Sequence, residues 1–311
     1  MTTTPTPPVT APAARPPRQT RPRRLEGRSR ELLTHSLPVR VAVVLIAVIW
    51  SLPTVGLLIS SFRHSSVIRA SGWWEAILHP FEAAQWTVAN YVGVLTADGM
   101  FDAFLNSLVV TIPATVIPIT LAAFAAYAFA WMRFPGKGVL FAIVVGLIVV
   151  PLQMTLVPLL RTYVALDLTG SFIGIWLAHT GFGLPLAIYL LYTYVAALPK
   201  ELFESAFVDG ASHFTAFMRL ALPLSAPAIA AFAIFQFLWV WNDLLVALVF
   251  LGTDSRVAVM TARLATLVGS RGEAWHVLTA GAFVTMIVPL LVFLALQRYF
   301  VRGLLTGGVK G

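Results

Sequence analysis

Residues 199–223 read PKELFESAFVDGASHFTAFMRLALP, Pro199 to Pro223, a polar and amphipathic island between two long apolar runs. Pro199 suits the first turn of a helix, where a missing N–H is no loss, and Asp209-Gly210 is a stop because glycine accepts the left-handed backbone that closes helices. Ser212 can then cap a second helix. Phe203, Phe207, Gly210, Phe214 and Phe217 recur at alternating steps of four and three. Each helix therefore gathers its rings on one side and leaves Glu201, Glu204 and Arg219 polar-facing. The stretch predicts two short helices broken at one turn, an element that fits a groove.

The chain around this island is apolar. Of its 311 residues 59% are hydrophobic and 11% charged, against about 25% charged in a soluble domain. This composition marks an integral membrane protein. Six runs are long enough to span as helices: Val41 to Ile59, Leu108 to Trp131, Val139 to Leu160, Phe172 to Val195, Leu224 to Leu251 and Val277 to Leu296. The expected fold is all-α, with six transmembrane helices and the island as a cytoplasmic element. Three regions follow: a basic tail over 1–38, a transmembrane domain over 39–302 and a glycine-rich flexible tail over 303–311. The first tail is rich in Pro, Thr and Arg and predicts disorder; Val41 to Ile59 follows as an uncleaved first span. Between the first two spans, Trp73, Trp74 and Trp86 suit a membrane interface. Proline recurs inside the spans, at Pro113, Pro118, Pro151, Pro158, Pro185, Pro227 and Pro289. Such sites need neighbours or water to satisfy the carbonyls they free, and bent helices around a pathway and the ordinary proline content of membrane helices both account for them.

Charge decides orientation. Eight of the 21 Lys and Arg residues lie in the first forty positions, which is a positive-inside signal and not a nucleic-acid patch. With both termini, the 131–139 turn and the 199–223 island inside, fifteen of the 21 are cytoplasmic and six are not.

Nothing points to catalysis. Gly136-Lys137 is followed by Gly138 and makes no phosphate loop, the six histidines show no metal spacing, and there is no cysteine. The ionisable group inside a span is Asp243, in Trp239-Val240-Trp241-Asn242-Asp243. An aspartate at a helix centre costs about 2.5–3.5 kcal/mol on insertion scales, so it should face a wet cavity or a partner. Trp239, Trp241, Asn242 and Asp243 are the candidate substrate path, because rings stack on sugar faces while amide and carboxylate meet hydroxyls. An interfacial aspartate between belt tryptophans is the alternative. His179 and Gln153 are weaker candidates, each more readily read as a satisfied packing residue.

Glu204-Ser205-Ala206, Asp209-Gly210-Ala211 and Leu220-Ala221-Leu222-Pro223 resemble the E-A-A, D-G-A and I-x-L-P blocks of the EAA loop in membrane subunits of bacterial ABC importers, with Ser205 for alanine and Leu220 for isoleucine. The Trp-Asn-Asp block and the ending from Gln297 to Gly311 are similar to the carbohydrate class of these permeases, the six-span maltose type. The resemblance implies that Phe203, Glu204, Ser205, Ala206, Phe207, Asp209, Gly210 and Ala211 dock on a partner ATPase. It also implies an ATP-binding subunit dimer that holds the ATP and Mg, a second homologous permease, an extracytoplasmic solute-binding protein and a sugar substrate. This chain itself would carry no cofactor, metal or nucleic acid and would sit in lipid of the bacterial inner membrane. By the same resemblance Gly307, Gly308 and Lys310 reach the ATPase. A loop lying on lipid headgroups is the plainer account of the island, and an ion-coupled secondary transporter of a small polar solute is the rival function, with a channel or scaffold third.

The charge pattern makes topology testable. A reporter fused after Gly311 is expected to read cytoplasmic and one inserted near Glu82 external; an external C-terminus would refute the six-span arrangement.

Overall fold

The structure, a computed structural model, describes residues 37–96, 99–267 and 275–308, with side chains as far as residue 295. The basic tail before Leu37 and Lys310 in the C-terminal tail lie outside the described residues. Two units are described separately, one ending at Val55 and the other beginning at Gly56.

Among the described residues the secondary structure is helical, with one isolated antiparallel bridge between Arg63 and Trp86. Helix α1 (Leu37–Ser61) is followed by the short α2 (Ser65–Ala70), α3 (Glu75–Leu78) and α4 (Ala89–Thr96). Then come α5 (Met100–Trp131), α6 (Lys137–Ile148), α7 (Leu152–Ala165) and α8 (Phe172–Val195). The island forms α9 (Lys200–Val208) and α10 (His213–Ala216), the latter continuing through a π-helical turn at Phe217–Ala221 into Leu222–Leu224. The chain ends with α11 (Ala226–Trp241), α12 (Leu245–Phe250), α13 (Met260–Leu267) and α14 (Trp275–Gly308).

Four helices, α1, α5, α8 and α14, are long and apolar enough to cross a membrane, and the number reaches six if each of two bent pairs is one span. The third predicted span is one such pair: α6 and α7 meet at 104° around Val149-Val150-Pro151. Proline has no N–H and its ring pushes the preceding residue out of the helical region, so the helix stops there. The fifth is the other, with the helical stretch His213–Leu224 meeting α11 at 70°. It also ends early, since α11 stops at Trp241 and helix resumes only at Leu245. The second helix starts at Met100, ahead of the predicted Leu108, and the last runs on through Gly308, where the sequence suggested a flexible ending from Gly303.

Three prolines inside the unbroken helices, Pro113, Pro118 and Pro289, have a different fate, because other helices repair them. In an α-helix the carbonyl of residue i−4 accepts from the N–H of residue i, so each internal proline orphans one carbonyl. Pro113 orphans that of Val109, which accepts from Trp176 Nε1 of α8 at 2.9 Å. Pro118 orphans that of Ala114, which accepts from Gln236 Nε2 of α11 at 3.2 Å. Pro289 of α14 orphans that of Thr285, which accepts from Trp241 Nε1 of α11 at 3.0 Å. Gln236 is fully buried, and the room its amide occupies exists because residue 183 on α8 is glycine: a Cβ there would lie 2.7 Å from Gln236 Nε2.

Helix α5 is common to three buried clusters. One joins Val110 and Ala114 to α7, α8 and α12; a second joins Ala122, Ala126 and Tyr127 to α8, α9, the π turn and α11; a third joins Met100 and Ala103 to α4, α11, α13 and α14. On α8 the buried partners are again small, Ala178, Gly183 and Ala187. Small side chains on both helices let the backbones approach, which is how apolar helices gain packing where lipid offers no hydrophobic drive.

The repairs can be tested by a double-mutant cycle. Trp241→Phe keeps the ring and removes the donor, and is expected to cost about 1–2 kcal/mol. In a Pro289→Ala background, where residue 289 regains its own N–H, most of that cost should vanish. Equal thermal destabilisation of the detergent-solubilised protein in both backgrounds would show that the hydrogen bond is not what Trp241 supplies.

Candidate functional site

The island folds as the sequence predicts locally. Helix α9 closes through a Schellman arrangement, with Gly210 N donating to Phe207 O at 3.1 Å and Ala211 N to Ala206 O at 2.9 Å, and Gly210 has φ +82°. Ser212 caps α10, its hydroxyl accepting from Thr215 N at 3.2 Å. Glu201, the first acidic residue of α9, lies in its first turn, where it complements the helix dipole.

The structure corrects which way the rings face. Phe203 is fully buried and stacks on Trp131 at the end of α5, with centroids 3.9 Å apart and planes 21° from parallel. Phe207 is half-buried and packs edge-on to His213 at 5.0 Å. Phe217 is buried, stacked on Phe124 at 4.6 Å, and the Tyr127 hydroxyl meets His213 Nδ1 at 3.2 Å. Phe203, expected to project toward a partner, instead fastens α9 to its own bundle. Spacing places Phe203 and Phe207 on one face but cannot say what that face meets, and Trp131 is distant in sequence.

What remains outward is Lys200, Glu201, Leu202, Glu204, Ser205, Val208, Asp209 and Gly210 on α9 and its turn, with His213 and Phe214 on α10. Ala206 and Ala211 are half-buried between the two faces. Val208 is 88% exposed and Phe214 66%. Acidic groups flanking bare apolar side chains form a surface complementary to a cleft with basic and apolar walls. Leu202 and Val208, which the sequence reading did not single out, fall opposite Phe203 and Phe207 once those turn inward, and Phe214 is bare although the ring spacing groups it with Phe217.

The second predicted site does not assemble. Trp241 is buried and its indole N–H is spent on the Thr285 carbonyl, so it offers no free polar group to a sugar. Asn242 is exposed and donates back to Leu238 O at 2.8 Å. Asp243 sits in the break between α11 and α12, where its carboxylate accepts from Val246 N at 3.3 Å and Ala247 N at 2.9 Å. Its Oδ2 is 3.9 Å from His179 Nε2, and its carbonyl accepts from Thr261 Oγ1 at 2.5 Å. Trp239 lies edge-on to His179 at 5.5 Å, whereas Gln153 is exposed near the start of α7. The carboxylate thus starts α12, and it lies near His179 of α8. Residues two apart on a helix point about 200° apart, which sends Trp239 and Trp241 to different clusters. Gly307 and Gly308 fall in the last turns of α14, where only the backbone is described. Among the described residues no group of three His, Cys, Asp or Glu could hold a metal ion.

Comparison with known proteins places this geometry. The family model described as the binding-protein-dependent transport system inner membrane component matches residues 35–306. An osmoprotective compounds uptake permease protein of Synechocystis sp. is 61% identical over 88% of this chain and 92% of its own. An alpha-glucoside transport system permease protein of Rhizobium meliloti is 45% identical, covering 88% of this chain and 97% of that one. Among solved structures, a chain of a bacterial ABC transporter that imports the acidic polysaccharide alginate superposes with a TM-score of 0.62 at 15% identity, over 89% of this chain and 98% of that chain. That likeness is one of fold.

The inward position of Phe203 sets its expected phenotype. Phe203→Ala empties a fully buried site and should cost about 3–5 kcal/mol, so folded, membrane-inserted protein should fall. Trp131→Ala should do the same. Normal levels and thermal stability in both would mean that the stack is dispensable.

Proposed function

We infer the function of this chain from its family: it belongs to the binding-protein-dependent transport system inner membrane components. It is the membrane permease subunit of an ATP-driven ABC importer, and its solute is a sugar or oligosaccharide. The names of its relatives put α-glucosides and osmoprotective compounds first among solutes to try. A second homologous permease completes the path, an ATP-binding subunit dimer holds the ATP and Mg, an extracytoplasmic binding protein delivers the solute, and both termini are cytoplasmic. This subunit has no nucleotide site of its own.

One observation carries the coupling role: an amphipathic helix with its ring face locked to the bundle and its other face, Glu201, Leu202, Glu204, Ser205 and Val208, bare. A partner that grips the bare face moves the locked face with it. Displacement passes through the Phe203–Trp131 stack and the Tyr127–His213 hydrogen bond into α5, and α5 contributes to all three buried clusters. Closure of the nucleotide-bound ATPase dimer is thereby converted into movement of the bundle between inward- and outward-facing states.

Three substitutions on the bare face or its turn test this. Glu204→Lys reverses a charge, Val208→Asp places a carboxylate on the apolar contact, and Gly210→Pro cannot hold φ +82°. Each is expected to leave the subunit inserted and paired with its sister, to reduce co-purifying ATPase at least tenfold, which corresponds to about 1.4 kcal/mol, and to abolish uptake of labelled α-glucoside. If ATPase association and uptake are normal in all three, this helix is not the coupling element.

A further inference from the structure

The segment after α1 is knitted around a buried cation. Arg63 is 1% exposed, and its Nη1 donates to the carbonyls of Ser71 at 3.2 Å and Gly72 at 2.8 Å. Its Nη2 donates to Ser71 Oγ at 2.6 Å and Gln85 Oε1 at 3.2 Å. Gln85 Nε2 in turn donates to Glu82 Oε2, and Asn90 Nδ2 donates to the carbonyls of Ser61 and Arg63. A buried guanidinium answered by four oxygens fixes the path of the chain, since removing one leaves a buried N–H of a charged group without its acceptor.

That path doubles back. The indole of Trp73 lies against Gly56, so close that a Cβ there would come within 2.8 Å of Trp73 Nε1. Gly56 is five residues before the end of α1 at Ser61, about 7–8 Å along the helix axis. The segment therefore returns to a depth within the apolar run of α1. The same segment bares Trp74, Ile77, Leu78 and Phe81, exposed by 57%, 54%, 67% and 99%. Trp74, Ile77 and Leu78 form a stripe on the single turn of α3 and Phe81 follows in the turn after the helix ends at Leu78, with Ala76 buried on the other side and the Glu75–His79 pair, 3.6 Å apart, beside it. Trp86 Nε1 donates to Pro80 O at 2.9 Å and steadies the turn that carries Phe81.

We propose that Trp74, Ile77, Leu78 and Phe81 form an interfacial anchor seated in the headgroup–acyl boundary of the leaflet in which α1 ends. Through Trp73, which lies against Gly56, the stripe sits beside the end of α1, a helix long and apolar enough to cross a membrane. It combines tryptophan and aliphatic side chains flanked by charge, the chemistry of side chains that occupy that boundary. This rests on the membrane location of the family and on no feature of the coupling helix. Held by the Arg63 network, the anchor fixes the depth of this rim of the bundle.

Because the chain has no cysteine, single cysteines can report on each position. The full importer carrying Leu78→Cys, Phe81→Cys or, as the solvent reference, Ser255→Cys at an exposed loop position would be spin-labelled and reconstituted in phosphatidylethanolamine–phosphatidylglycerol vesicles. The measurement is collision with oxygen against collision with a water-soluble nickel chelate. Labels at 78 and 81 are expected to show a several-fold higher oxygen-to-nickel ratio than the label at 255. Equal ratios overturn the proposal, as does protection from nickel that appears only when purified solute-binding protein is added, which assigns the stripe to a protein partner. As a second arm, Leu78→Ser with Phe81→Ser should lower the ratio of a label at Trp74→Cys without lowering the yield of assembled complex; an unchanged ratio also refutes the anchor.

Discussion

Proline leaves a membrane helix with a carbonyl that has no donor, and in hydrocarbon such a group has no water to turn to. This chain answers that constraint with side chains from neighbouring helices: Trp176 for Val109, Gln236 for Ala114 and Trp241 for Thr285. Two of the three repairs fall on α5 and two originate on α11, so the same hydrogen bonds that keep α5 and α14 continuous also fix how α8 and α11 sit against them. Each bond is worth little net, about 1 kcal/mol, but the alternative is an orphaned buried carbonyl, and that asymmetry gives the contacts their hold on helix placement. At Pro151 the carbonyl four residues back, that of Leu147, accepts instead from Val150 N at 3.2 Å, and there the helix turns through 104°.

The same economy shapes the link between the bundle and α9. A coupling element must be firmly attached on one face and free on the other. Aromatic stacking supplies the attachment, through Phe203 on Trp131 and Phe217 on Phe124. Directly after α10 the chain adopts a π turn at Phe217–Ala221 and bends by 70° before α11. Wider helical turns of this kind commonly mark functional places in helices. Beside the bend, Ser225 is buried with its hydroxyl unpartnered, lining a small cavity with Tyr127, Leu191 and Phe217. Imperfect packing at the junction, next to tight stacking within the element, suits a lever that moves as a body about its root.

Sequence determined much of this. Composition made the chain a membrane protein, hydropathy found the apolar runs, and Ser212 and Gly210 announced the ends of two short helices because capping and left-handed turns are local chemistry. The blocks around Glu204 and Asp209 named the family. Tertiary structure alone decided which face of α9 is free, since a helical period groups residues without saying what they meet. It also separated Trp239, Trp241, Asn242 and Asp243, whose residue types suggested a sugar site: a carboxylate three and four residues ahead of free N–H groups caps a helix, and an indole beside a proline-freed carbonyl repairs it. Those partners lie up to 44 residues away, and long-range hydrogen-bond supply and demand leave no periodic trace in a sequence.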